Sequence, residues 1–242
     1  MIKQDLINLK NAGACGVKIE FESEFYEENF AFELAEAIRR SELNLYIKLG
    51  GATSIQDLHL CKKLCANTIV APMIESAYAV EKFLLCVEQV YGNNHPELLL
   101  NIETKNAFNN LDEIINQTNN EISGYVIGRS DLKNSLDIID ANDNKILNLC
   151  LKLSNICKNQ NKKLIIGGKI NSEALNFIQK IPYLTAIETR KVVFLKNQLT
   201  EECLKKSLEF ELNLLKTKPN NFKEDLERIK FIEKSLNLKV YI

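Results

Sequence analysis

Two carboxylates stand at the ends of consecutive apolar runs in this chain of 242 residues. Glu103 ends Leu98-Leu99-Leu100-Asn101-Ile102-Glu103, and Asp131 ends Tyr125-Val126-Ile127-Gly128-Arg129-Ser130-Asp131. Each run is short, β-rich and polar at its C-terminal end. One helix-length stretch, Asn106 to Ile115, separates them. In a parallel βα barrel both carboxylates emerge at the same rim, a short distance apart. Two hard oxygen ligands, with the other positions left to water and substrate, describe a divalent cation site of the magnesium type.

Other strand ends add charged and anion-binding candidates. Lys18-Ile19-Glu20-Phe21-Glu22 alternates, so Lys18, Glu20 and Glu22 share one side and Ile19 and Phe21 the other. With the apolar side against helices, the charged side points into the barrel. Such charges must pair with one another, as a structural network, or with a ligand. Lys48 can point inward likewise, and Gly50-Gly51 after it allow backbone amides to approach an anion or simply make a tight turn. Gly167-Gly168-Lys169 repeats that ending. Pro72-Met73 stops a third strand, and Glu75 after it suits a helix N-terminus. Arg190 can clamp a carboxylate bidentately or form a rim pair with Glu188. The two histidines, His59 in a helix and His95 in a turn, lie away from strand ends. Proton transfer is therefore left to Glu, Asp, Lys, bound water or the substrate.

The elements that must position these residues alternate. Strands are expected over Gly16–Phe21, Asn44–Leu49, Thr68–Ala71, Glu97–Ile102, Gly124–Gly128, Lys163–Gly167 and Leu184–Glu188. Helices are expected over Glu28–Arg40, Ser54–Cys65, Ser76–Tyr91, Ala107–Gln117, Lys145–Asn159 and Ser172–Gln179. This order predicts an α/β fold, a TIM-type (β/α)8 barrel with a core over 14–195 and every strand end at one face. Seven strands leave one missing. Ile2–Asn11 reads as a helix, so residues 238–242 are expected to close the barrel between the seventh and first strands. Helices Thr200–Lys216 and Phe222–Leu236, the second capped by Asn221, form a C-terminal appendage over 198–236. All of this makes one domain over 1–242, and the appendage offers a surface for a homo-oligomer.

Composition narrows the function classes. With 45% apolar residues a sizeable core can be buried, and a net charge of −1 with dispersed charges argues against nucleic acid. No apolar run is long enough to span a membrane, and the N-terminus lacks a signal-peptide core. Seven cysteines without Cys-x-x-Cys or a Cys/His cluster suit reduced thiols in a cytoplasmic protein.

Three ordered motifs resemble those of the HpcH/HpaI aldolase and citrate lyase β-subunit family, among the phosphoenolpyruvate/pyruvate-binding barrels. They are Pro72-Met73-Ile74-Glu75-Ser76-Ala77, Asn101-Ile102-Glu103-Thr104-Lys105-Asn106-Ala107 and Gly128-Arg129-Ser130-Asp131-Leu132. The resemblance runs over about residues 15 to 195. It implies that Glu103 and Asp131 bind Mg²⁺ or Mn²⁺, which would chelate a pyruvate- or oxaloacetate-derived oxo acid and stabilise an enolate. Gly50, Gly51, Pro72, Met73 and Arg190 become substrate-binding candidates, and Lys48, Glu20 and Glu22 catalytic ones. Two departures stand out. Ser23 falls where the family carries a histidine, and Lys48 where it carries an arginine, whose fork a lysine cannot reproduce.

The expected activity is a metal-dependent carbon–carbon lyase or aldolase. One alternative is Schiff-base chemistry on Lys48, Lys18 or Lys169. Another is a non-catalytic, ligand-binding or accessory barrel.

Overall fold

The structure, a computed structural model, describes residues 2–118 and 120–237. Eight strands close into one barrel in chain order. They are β1 (Ala14–Glu20), β2 (Asn44–Lys48), β3 (Thr68–Ala71), β4 (Glu97–Asn101), β5 (Ile122–Gly128), β6 (Lys163–Gly167), β7 (Ala186–Glu188) and β8 (Val192–Leu195). Neighbours from β1 to β7 pair in parallel. The fold is the expected TIM-type barrel, with one reversal: β8 is antiparallel to both β7 and β1.

That reversal corrects how the barrel closes. The place between the seventh and first strands belongs to Val192–Leu195, reached from β7 through the turn Thr189-Arg190-Lys191. A turn this short can only return the chain antiparallel, because a parallel return needs a crossover of a dozen residues or more. Residues 238–242, expected to supply the closing strand, lie outside the described residues. The statement that every strand end meets one face therefore holds for β1 to β7 only, and β8 begins at that face.

The helices are α1 (Ile2–Asn11), α2 (Glu28–Arg40), α3 (Ile55–Lys63), α4 (Ala77–Tyr91), α5 (Lys105–Asn109), α6 (Leu111–Gln117), α7 (Arg129–Ser135), α8 (Asn144–Gln160), α9 (Ala174–Gln179), α10 (Glu201–Thr217) and α11 (Lys223–Ser235). Ser54, Ser76 and Thr200 cap α3, α4 and α10 by accepting a backbone N–H. Asn221 is not the cap of α11. Its amide donates to the Leu215 carbonyl, and the Phe222 N–H at that end is taken by Asp225. No helix among the described residues is long and apolar enough to cross a membrane.

Alternation along the strands builds the site. Outward residues such as Val17, Ile19, Ile47, Ile69 and Ile127 join the main core beneath the helices. Inward residues Tyr46, Val70, Leu99, Val126, Ile165, Ala186 and Val193 form a separate apolar plug inside the barrel. Two positions further along each parallel strand, the inward residue is Lys48, Pro72, Asn101, Gly128, Gly167 or Glu188. A more polar layer thus sits directly above an apolar floor, at the end where β1 to β7 finish.

Candidate active site

Glu103 is the centre of this layer, with a side chain only 1% exposed. It follows β4, and its carboxylate accepts from three directions. Met73 N–H donates to Oε1 at 3.1 Å, Asn101 Nδ2 to Oε2 at 2.7 Å, and Lys48 Nζ approaches Oε2 at 3.4 Å. Met73 holds φ +51°, a left-handed conformation uncommon for a long side chain. The result of that strain is an amide aimed at Glu103 rather than along the strand. Gly128 leaves room for the carboxylate, since a Cβ there would stand 2.6 Å from Glu103 Oε2.

Burial pushes the Glu103 carboxyl up to about 7. Lys48 and the Met73 amide pull it down, while the charges of Asp131 and Glu22 push it further up. Asp131 itself is exposed in the first turn of α7, which begins where β5 ends. The sequence reading missed α7 and placed Asp131 on a strand end. The direct passage from β5 into a helix still leaves its charge close enough for Glu103 to feel.

The second cluster is an ion-pair network, the structural alternative raised by the sequence. Lys18 Nζ lies 2.8 Å from Glu20 Oε1 and 2.8 Å from Glu188 Oε1, with its side chain 7% exposed. Burial opposes the charge on Lys18, but Glu188 and Glu20 hold its ammonium above the usual lysine range. Burial would also raise Glu20, yet the charge and hydrogen bond of Lys18, with Lys48 and Lys191 behind, bring it down to about 2. Lys48 has the same character. Burial opposes its charge, while Glu103 at 3.4 Å and Glu22 at 2.6 Å raise its pKa.

A pH prediction follows from Glu20. Its folded pKa, about 2, lies below its ordinary 4.5, so the pair stabilises the fold above pH 4.5. That stability is lost as pH falls from 4.5 towards 2. Urea unfolding between pH 5 and 3 should show a steeper loss for the natural chain than for Glu20→Gln. Identical slopes would show that the Glu20 pair contributes nothing.

The remaining expected residues have partners of their own. Gly50 N–H donates to Asp57 Oδ2 at 2.7 Å, and the Gly51 carbonyl accepts from Ser54 N–H at 3.1 Å. Arg190 pairs with Glu24 at 3.0 Å and Glu211 at 3.8 Å, not with Glu188. Lys191, buried beside it, bonds Glu24 and the Tyr26 hydroxyl. Lys169 is exposed.

Three participants take roles that the sequence pattern does not assign to them. Asn101 shares a strand side with Glu103, a period-two signal that could have found it. Glu188 lies against Gly167, where a Cβ would stand 2.7 Å from its Cγ. Asn101 Oδ1 and Glu188 Oε2 are buried without a hydrogen-bond partner among the described residues. Arg129 is 0% exposed and makes no salt bridge among the described residues. Its guanidinium donates to the carbonyls of Gly167, Gly168, Lys169 and Ala141 and to Asn142 Oδ1, and stacks 4.7 Å from the Phe177 ring.

Comparison with known proteins agrees with this fold. The family model described as HpcH/HpaI aldolase/citrate lyase matches residues 41–165, the stretch that carries Lys48, Glu103 and Asp131. No protein of curated function matches the chain in sequence. Among solved structures, an HpcH/HpaI aldolase from Desulfitobacterium hafniense DCB-2 superposes with a TM-score of 0.64 at 11% identity, covering 91% of each chain. Citrate synthase SbnG superposes with a TM-score of 0.62 at 16% identity, over 77% of this chain and 81% of that one. A HpcH/HpaI aldolase/citrate lyase family protein from Burkholderia cenocepacia J2315 gives 0.60 at 14% identity, over 77% and 82%. At these identities the structural likeness is one of fold.

Proposed function

The chain belongs to the HpcH/HpaI aldolase/citrate lyase family, and we propose from that premise that it makes or breaks a carbon–carbon bond next to the keto group of a small oxo acid. The carrying observation is the buried Glu103, wired to Lys48 and the Met73 amide and facing the charge of Asp131.

The residues present fit a divalent cation. The donor set is oxygen only: Glu103, Asp131 and the unpartnered Oδ1 of Asn101 nearby. Burial is the main reason the Glu103 carboxyl is raised, the charge of Asp131 adds to it, and a cation held between the two would oppose both. No group of three or more His, Cys, Asp or Glu is assembled among the described residues. Two acids suit a magnesium-type ion, which keeps several waters and substrate oxygens around it. Glu103 and Asp131 would hold it, and when bound it supplies Lewis-acid polarisation of the keto oxygen.

The chain's own groups do the rest. Lys48, kept protonated by its carboxylates, balances negative charge developing on the keto oxygen. Asn101 and Met73 fix the Glu103 carboxylate. Glu22, at the edge of the mouth, is the better placed of the two candidate bases. It takes the proton from the carbon beside the keto group, the C–H electrons move to the keto oxygen, and reversal returns the proton. Glu20, held anionic by Lys18, is a weak base and serves the network. Schiff-base chemistry needs an uncharged amine, and both buried mouth lysines are held as ammonium ions.

The direct test follows the methyl protons of pyruvate in D₂O by NMR. Exchange should require Mg²⁺ or Mn²⁺ and stop on addition of EDTA. Exchange that survives EDTA overturns the metal-dependent reading. Pyruvate binding without exchange favours the non-catalytic barrel.

A further inference from the structure

Three groups expected to meet a substrate anion already hold a carboxylate of this chain. Asp57 sits on the Gly50 amide at 2.7 Å, Glu24 on Arg190 at 3.0 Å, and Glu22 on Lys48 at 2.6 Å. The three differ in how firmly the carboxylate is fixed. Glu24 has a side chain only 3% exposed and is bonded by Arg190, Lys191 and the Tyr26 hydroxyl. Asp57 belongs to the first turn of α3, next to the Ser54 cap. Glu22 alone stands in a bend between strand and loop, with its side chain 39% exposed and paired to Lys48.

The chain on either side of Glu22 is pinned. Phe21 N–H donates to the Lys48 carbonyl at 2.9 Å, continuing the β1–β2 pairing. Two residues after Glu22, Glu24 is locked by the buried cations. Glu22 can therefore leave Lys48 by rotation of its own side chain, without loss of the loop. Lys48, 9% exposed, cannot follow it into solvent.

We propose that Glu22 is an internal ligand of Lys48 that an incoming carboxylate or enolate oxygen must displace, which makes Glu22 the specificity-determining residue of the mouth. The inference rests on the oxo-acid reading given above and deepens it. Displacement exchanges one anion for another on the same ammonium, so the charge around Lys48 is preserved. An anion held by Lys48 alone gains little over Glu22, which is tethered and always present. An oxo acid places a second oxygen towards Glu103, Asp131 and their cation, and so wins the exchange. The competition thus selects two-point anions over simple carboxylates. It also frees Glu22 as a base only when such an anion has arrived.

The size of the effect follows from occupancy. If Glu22 covers Lys48 for about nine-tenths of the time, apparent affinity for the ligand is lowered about tenfold. Isothermal titration with oxalate, an unreactive two-point anion, and with acetate tests this in the presence of Mg²⁺. Glu22→Gln should bind oxalate about tenfold more tightly than the natural chain, and acetate by the same factor, so that a simple carboxylate otherwise too weak to compete begins to bind. Lys48→Met should lose the gain when combined with Glu22→Gln. Oxalate binding that is unchanged, weaker or absent in Glu22→Gln overturns the proposal. The pyruvate exchange assay separates the two ideas. Tighter oxalate binding without exchange keeps the displacement and loses the enolate chemistry. Exchange with unaltered oxalate affinity does the reverse.

Discussion

Glu103→Ala is expected to lower kcat/KM for the oxo-acid reaction by about a thousandfold, the scale of losing a preorganised charge-stabilising group. The reason is its position, not its charge alone. Three donors converge on this one carboxylate, and the charge of Asp131 reaches it. Removing it leaves Lys48 paired with Glu22 and leaves the Met73 amide, strained into place, without a target. The more informative variant is Glu103→Gln. Burial already works against the charge at this position, so a neutral isostere should be tolerated by the fold. Activity should fall almost as far as in Glu103→Ala, and half-saturation by Mg²⁺ should rise by about 10- to 100-fold. The melting temperature should stay within a few degrees. Steady-state kinetics across a magnesium series, beside calorimetry, gives both numbers. Full activity in Glu103→Gln would remove this residue from the reaction.

Arg129→Met should be the most destabilising single change in the rim. A fully buried guanidinium normally faces a carboxylate, but here it faces backbone. Burial brings its pKa down to about 10, so it stays charged at neutral pH. Its donors satisfy carbonyls of the β6-end turn, Gly167 to Lys169, and of the α7–α8 connection at Ala141 and Asn142. Methionine matches the length and the contact with Phe177 but offers no donor. Each carbonyl left unmet costs roughly 1–3 kcal/mol, partly offset by relief of the buried charge, for a net loss of about 4 kcal/mol. For a chain of this size that is a fall of roughly 8 to 16 °C in melting temperature. Asp131 lies two residues along the same helix, so metal affinity should weaken as well. A melting temperature lowered by less than about 2 °C would mean that the backbone finds other donors, and that Arg129 does not brace the rim.

Local chemistry made most of the scaffold legible. Glu28–Arg40, Thr68–Ala71 and Lys163–Gly167 were bounded as observed, because periodicity and flanking glycines are local signals. The helix starts at Ser54, Ser76 and Thr200 were legible for the same reason, and all three residues prove to be caps. Two elements were not. The helix α7 follows β5 without a loop, so no breaker marks its start. The strand β8 is four residues long and follows β7 after three, which reads as the tail of one strand and not as a hairpin.

The sequence by itself determined the strand–helix alternation of a barrel, the inward side of each strand, and the presence of Glu103, Lys18 and Lys48 at or near strand ends. These depend on period-two alternation and on chain order, both of which are written residue by residue. Only the tertiary structure decided the pairings. Lys18 meets Glu188 across 170 positions of sequence, Lys48 chooses Glu22 and Glu103, and Arg190 turns away to Glu24 and Glu211. Closure of the barrel decides which inward charges share a level, and buried charges then take the nearest opposite partner because water cannot serve them. That is why a strand end full of lysine and glutamate could be read as reactive or structural from sequence. In the fold Lys18, Glu20 and Glu188 form a buried ion-pair network, while Glu103 is held by Lys48, Asn101 and the Met73 amide.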